Sequence, residues 1–161
     1  MTYFLQTITF TFLESNPDVS PVIVGGSEIQ KRKVREVIKE WENWANIKFE
    51  EKKLEKPRDK PGYLRISFNT NDGSWSYVGK SLKDKTEAVT MNFGWVKDEQ
   101  VSVQPKERGV ILHEFGHALG MLHEHASPAR GGRLTLKVDG TWPIVYIGNR
   151  RSQCSRLRSC S

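Results

Sequence analysis

All four histidines of this 161-residue chain fall in the short stretch 113–125. His113 and His117 are four residues apart, so on a helix their Cβ atoms lie about 5–6 Å apart on one face and both imidazoles can bind one metal ion. Glu114 is one step round the helix, where it flanks the ion as a general base for a metal-bound water. Histidines that merely fill a core would be spread along the chain, so the clustering favours a metal site.

A third ligand follows through a glycine turn. Gly120 comes three residues after His117, and glycine accepts a positive φ at a helix end without a Cβ penalty. A left-handed residue there turns the chain back and lets His123 approach the same ion. Three neutral imidazoles leave the fourth zinc position open for water or a substrate oxygen, which is typical of a catalytic site. The sequence therefore predicts one Zn²⁺ per chain, with Glu114 as the catalytic residue. Three histidines are its predicted ligands: His113, His117 and His123.

The whole stretch HEFGHALGMLH (residues 113–123) resembles the HExxHxxGxxH signature of the metzincin peptidases. Glu124, directly after it, resembles the astacin-like zinc metallopeptidases, as do the upstream segments 73–79 and 90–95. The resemblance spans about residues 5–128. It implies a zinc-dependent metalloendopeptidase that cleaves peptide bonds of a peptide or protein substrate, with a water on a three-histidine zinc and the motif glutamate as general base.

The family pattern also includes a C-terminal half with a methionine-bearing turn below the zinc. The last methionine of this chain is Met121, which precedes His123, so we expect that half to be truncated or replaced here. An alternative function is therefore a non-catalytic zinc-binding fragment that lacks the methionine turn. A third hypothesis is an interaction protein with a basic tail, in which the histidine motif is vestigial.

The net charge of +6 comes from the C-terminal end. Residues 126–161 hold seven basic residues and one acidic residue, which accounts for the whole excess. We interpret this end as a solvated tail and expect no nucleic-acid partner. The predicted division is an N-terminal metallopeptidase subdomain with the zinc helix (1–128) and an atypical basic tail (129–161).

Membrane and targeting signals are not visible in the sequence. No apolar run approaches the ~20 residues of a membrane span, and the first residues have neither a basic n-region nor a clear cleavage site. Because no secretory signal is visible, the chain is either not secreted or lacks an upstream segment. The resembled family is mostly secreted, and we leave the localisation of this chain unknown. Its oligomeric state is equally open.

The elements that must position the site follow from periodicity and capping residues. Strands are predicted at 7–12, 47–50, 63–68 and 88–93. One helix is predicted at 28–46, where Ser27 and Gln30 form a capping-box start. A second helix, carrying the histidines, is predicted from about Pro105. Together they predict an α+β fold, a twisted sheet of about four to five strands with two long helices, which resembles the N-terminal half of a metzincin catalytic domain.

Three finer expectations concern the surroundings of the cleft. Trp41 and Trp44 share the apolar stripe of the first helix and are predicted to be core residues. The segment 74–79 is predicted to be a loop fixed by its aromatic residues. The strand at 88–93 is, by the resemblance, the upper edge of the cleft, where an extended peptide adds as a further strand.

Overall fold

The computed structural model describes residues 5–18, 22–53, 64–79, 88–123, 134–137 and 143–146. Helices and strands alternate in the first part of the chain and strands cluster before the second helix. The elements are β1 (Gln6–Phe12), α1 (Glu28–Trp44), β2 (Ile47–Glu51), β3 (Leu64–Ser67), a 3₁₀ turn (Thr70–Asp72), β4 (Ser74–Ser76), β5 (Met91–Phe93), α2 (Pro105–Ala118), β6 (Leu134–Lys137) and β7 (Pro143–Tyr146).

Five strands form one sheet in the order β2-β1-β3-β5-β4. The first four run parallel, with Ile8 opposite Phe49 and Phe10 opposite Leu64, whereas β4 runs antiparallel to β5. Both helices contribute residues to the same core as the sheet. The predicted α+β fold of four to five strands and two long helices is therefore confirmed.

Helix α1 begins where its capping residues predict. The Ser27 side chain accepts a hydrogen bond from the Gln30 backbone N–H, and Gln30 Oε1 accepts one from the Ser27 N–H at 2.8 Å. The prediction that both tryptophans are core residues is half wrong. Trp41 packs against the core, but Trp44 is 88% exposed because it is the last residue of α1 and the described core does not reach it.

Strand β4 corrects two predictions about the cleft. The segment predicted to be a loop contains a strand, because Ser74 and Ser76 pair with Phe93 and Met91 of β5. That pairing covers the outer side of β5, so β5 is an internal strand and β4 is the edge. The predicted edge position of the 88–93 strand was therefore wrong.

The side chain of Asn92 fixes the turn that leads into β4. It is 1% exposed, and its Oδ1 accepts the Asn69 backbone N–H at 2.9 Å. Its Nδ2 donates to the carbonyl oxygens of Asn69 and Gly73. Because all these backbone groups are satisfied by one side chain, the short edge strand starts from a well-anchored position.

β6 and β7 form a separate antiparallel pair within the predicted tail, and the predicted boundary at residue 128 stays a prediction. Among the described residues, neither helix combines the length and apolar character needed to cross a membrane.

Candidate active site

Helix α2 is fixed in the core by Phe115, which lies midway between the two histidines of the helix. Its ring is fully buried and lies 5.1 Å from that of Phe49, 6.1 Å from that of Phe93 and 6.4 Å from that of Phe10. Pro105 occupies the first turn, as predicted. With its apolar face held in this way, the helix directs the side chains two positions before and after Phe115 to the opposite face.

The helix ends in a Schellman turn centred on Gly120. Gly120 has φ of 103°, its N–H donates to the His117 carbonyl at 2.8 Å, and the Met121 N–H donates to the Gly116 carbonyl at 2.9 Å. This pair of bonds is the standard way in which a left-handed glycine ends a helix and reverses the chain. The left-handed glycine predicted at this position is confirmed, and it brings His123 back towards the helix.

The three histidine side chains converge. The Nε2 atoms of His113, His117 and His123 lie 3.0 Å from one another in all three pairs. Ligand nitrogens of a tetrahedral zinc ion at the usual bond length lie about 3.3–3.4 Å apart. The donor set and its spacing therefore fit a zinc ion, and the same three residues are the only such cluster among the residues that the structure describes.

A backbone carbonyl sets the protonation of one of these rings. Nδ1 of His117 lies 2.7 Å from the Met121 carbonyl oxygen. A carbonyl can only accept, so Nδ1 carries the hydrogen, and Nε2 of the neutral ring presents its lone pair to the cluster. Metal-bound histidines are typically oriented by a partner of this kind. Partial burial, and then the neighbouring His117, lower the pKa of His113, which favours its neutral form.

Glu114 is buried beside this cluster. Its side chain is 4% exposed, and burial raises the pKa of Glu114 to about 7. A carboxyl group with such a pKa can both take up and return a proton near neutral pH, as a general base in hydrolysis must. It is adjacent to His113 and outside the set of converging nitrogens, as the sequence predicts.

The structure thus brings together the side chains of all three predicted ligands, and the predicted base Glu114 directly follows one of them on α2. Glu124 and His125 lie outside the described residues. Sequence reasoning missed the Met121 carbonyl, because a backbone acceptor leaves no trace in residue identities. It also missed Gly79, whose backbone lies close to the turn at Gly120; a glycine three residues after β4, close behind Trp75 and Tyr77, was the available signal.

The arrangement, three converging imidazoles and a buried carboxyl group on a helix packed against a sheet, defines the metzincin type of zinc peptidase site. Comparison with known proteins agrees. The family model described as Astacin, a peptidase family, matches residues 22–141. The chain belongs to the astacin family, and the predicted resemblance is confirmed.

Similar sequences and a solved structure agree with this family membership. Blastula protease 10 of Paracentrotus lividus and SpAN of Strongylocentrotus purpuratus are each 30% identical over 111 residues, 68% of this chain and 16% of each relative. Zinc metalloproteinase nas-30 of Caenorhabditis elegans is 25% identical over 115 residues, 71% of this chain and 13% of that protein. A structure of myroilysin is 32% identical with a TM-score of 0.58, over 75% of this chain and 50% of that one. The matched part of this chain thus spans about a sixth of Blastula protease 10 and of SpAN, and half of myroilysin.

Proposed function

We propose that this chain is a zinc-dependent endopeptidase segment that holds one zinc ion between its three motif histidines. The observation that supports this most directly is the mutual 3.0 Å separation of the three Nε2 atoms, in a chain of the astacin family. Three ring nitrogens at this distance, one of them fixed as a lone-pair donor by Met121, are best explained by a cation between them.

The chemistry is peptide-bond hydrolysis. A zinc ion held here would supply Lewis acidity, polarising the scissile carbonyl and lowering the pKa of a bound water. The Glu114 carboxylate takes the proton of the attacking water and returns it to the leaving nitrogen. Within the described residues no strand pairs with the outer side of β4, so an extended peptide can add there through main-chain hydrogen bonds. The proposed substrate is thus an unfolded peptide or protein segment.

Metal binding is tested first by direct zinc analysis. We expect about one zinc per chain after metal removal and reloading, and loss of that zinc in the His117→Ala and His123→Ala variants, because two nitrogens make a much weaker site. His125→Ala is the matched control, since it removes the one histidine that the motif does not use. Retention of zinc by His117→Ala would contradict the proposed ligand set.

Catalysis is tested on a denatured protein substrate. We expect chelator-sensitive cleavage that falls by roughly 10²-fold or more in Glu114→Gln, the usual scale of general-base loss, and that is unchanged in the control Glu99→Gln on an exposed loop. Equal rates in Glu114→Gln and the unaltered chain would assign the activity to a contaminant. Stoichiometric zinc without cleavage would instead support the alternative of a non-catalytic zinc-binding fragment.

A further inference from the structure

Gly79 and Gly120 come from different elements and meet backbone to backbone. Gly79 lies three residues after β4, the edge strand of the sheet, and Gly120 closes the zinc helix α2. A Cβ atom built on Gly79 would lie 3.0 Å from the Gly120 Cα and 3.6 Å from its nitrogen. Because both of these neighbours are backbone atoms, no side-chain rotation could relieve the contact.

The two glycines are needed for different reasons. A Cβ on Gly120 would meet no atom within 4 Å, but φ there is 103°, so that position needs glycine for its conformation. Gly79 has φ of 48° and the close contact as well, so it needs glycine for conformation and for space. A side chain at position 79 would contact the turn that follows the zinc helix, since among the described residues the only atoms near the built Cβ belong to Gly120.

That turn carries two of the contacts that build the metal site. Its next residue, Met121, provides the carbonyl that holds Nδ1 of His117, and two residues further on lies His123. A shift of the Gly120 backbone by a few tenths of an ångström therefore moves a ligand and the partner of another ligand together. Zinc sites tolerate ligand displacements of only about 0.2 Å before bond lengths leave their normal range.

The segment that contacts the turn is itself held by the sheet. The Tyr77 N–H donates to the Thr90 carbonyl at 3.1 Å, and the Tyr77 ring packs edge-on against Trp75 at 5.6 Å. Trp75 Nε1 in turn donates to Asp72. These contacts anchor the chain just before Gly79, so we expect a larger residue at position 79 to displace the turn at Gly120.

From this contact we propose that Gly79 is a positioning residue for the metal site: its missing side chain sets how far the turn at Gly120 can approach the sheet, and thereby where His123 and the partner of His117 lie. The proposal rests on the proposed function in one respect, that the three histidines bind a metal ion. It does not depend on cleavage.

The test compares Gly79→Ala with Gly79→Asn. Asparagine adopts left-handed backbone conformations much more readily than alanine, but both residues carry a Cβ. If the contact with Gly120 matters, both variants should bind zinc roughly 10–100-fold more weakly, the usual effect of disturbing the partners of metal ligands. If only backbone strain matters, Gly79→Asn should bind zinc as the unaltered chain does, which would overturn the proposal. The asparagine variant also guards against a failure of Gly79→Ala to fold.

The readouts are the zinc dissociation constant, the visible absorption spectrum of the cobalt-loaded protein and the unfolding midpoint of the metal-free protein. A purely structural role would lower the midpoint and leave the cobalt spectrum unchanged, whereas the positioning role changes the spectrum. Gly109→Ala is the matched control, because that glycine lies in α2 with nothing within 4 Å of a built Cβ. We expect it to leave metal affinity unchanged.

The outcomes separate this proposal from the proposed function. Zinc binding without cleavage in the unaltered chain, with weaker binding in both Gly79 variants, would contradict the peptidase function and support the positioning role. Normal zinc affinity in Gly79→Ala would overturn the positioning role and leave the peptidase function intact. Failure of the unaltered chain to bind zinc would overturn both.

Discussion

The polar side chains at the two ends of helix α2 have different kinds of partner. At the N-terminal end, Lys33 is fully buried and its Nζ donates to both Glu107 oxygens, at 2.8 and 2.9 Å, and to the Lys97 carbonyl at 2.8 Å. The same carboxylate accepts the backbone N–H groups of Lys97 and Gln104. At the C-terminal end, three imidazole nitrogens approach one another, and under the proposed function a zinc ion balances their lone pairs.

This difference suggests two separate roles. The N-terminal end of α2 anchors the helix in the fold, and the C-terminal end carries the proposed metal site. Every polar atom of the Lys33–Glu107 pair finds its partner inside the protein, so this end fixes α2 against α1. At the histidine end, the partner under the proposed function is a bound metal ion. The comparison predicts that changes at the first end lower stability with little effect on metal affinity, and that changes at the second end do the reverse.

The largest expected effect comes from Lys33→Met. It leaves the Glu107 carboxylate buried without its charge partner, and breaking a buried pair from one side costs roughly 3–5 kcal/mol. Denaturant unfolding of the metal-free protein measures the loss. If the variant folds, its zinc affinity should equal that of the unaltered chain, and a parallel loss of zinc affinity would contradict the separation of the two ends.

Arg108→Ala supplies the control for this experiment. Arg108 also joins α2 to α1, through a bidentate pair with Glu40, but both side chains are substantially exposed. Exposed pairs contribute little because water already solvates the charges. The unfolding midpoint should therefore move far less than in Lys33→Met. A comparable drop would mean that helix contact in general, and not burial of the charge, is responsible.

The next effect is a dependence of stability on pH. Burial alone would raise the pKa of Glu107, but the hydrogen bonds from Lys33 and from the backbone N–H groups of Gln104 and Lys97 outweigh it and hold the pKa below its ordinary value. A carboxyl group whose pKa is lower in the folded state stabilises fully above its unfolded pKa, about 4.3, and this contribution is lost as pH falls through the folded value.

Unfolding free energies measured from neutral pH down to about pH 3 test this sign. The unaltered chain should lose stability more steeply below about pH 5 than Glu107→Gln, which has no proton to gain at this position. Parallel curves for the two proteins would show that Glu107 has the same pKa in the folded and unfolded states.

The sequence predicts those features of the fold that depend on residues close together in the chain. The capping box at Ser27, the proline in the first turn of α2 and the left-handed Gly120 are local requirements, and each was predicted correctly. The order of the strands is not local. The segment 74–79 carries too few alternating positions to show a strand, and only its pairing with β5 shows that it covers that strand and forms the edge.

The same division holds within the site. The spacing of His113, His117 and His123 predicts their convergence because helix geometry and one glycine turn determine it. Lys33 could not be recognised as buried, since a lysine in a helix is usually solvated and its partner is 74 positions away. The Gly79–Gly120 contact joins two distant segments and becomes visible only in three dimensions.

Gly109→Ala should change stability least, and it tests most directly whether the two ends of α2 are independent. Gly109 lies in α2, two residues after Glu107 and four before His113, exposed and with nothing within 4 Å of a built Cβ. Alanine there should raise the unfolding free energy by about 0.5–1 kcal/mol, because glycine loses more backbone entropy when the helix forms. Thermal or denaturant unfolding measures the gain, while zinc titration should give an unchanged dissociation constant. If a stiffer helix also tightened metal binding, the two ends would be coupled through the helix backbone, and the independence inferred from their different polar contacts would be wrong.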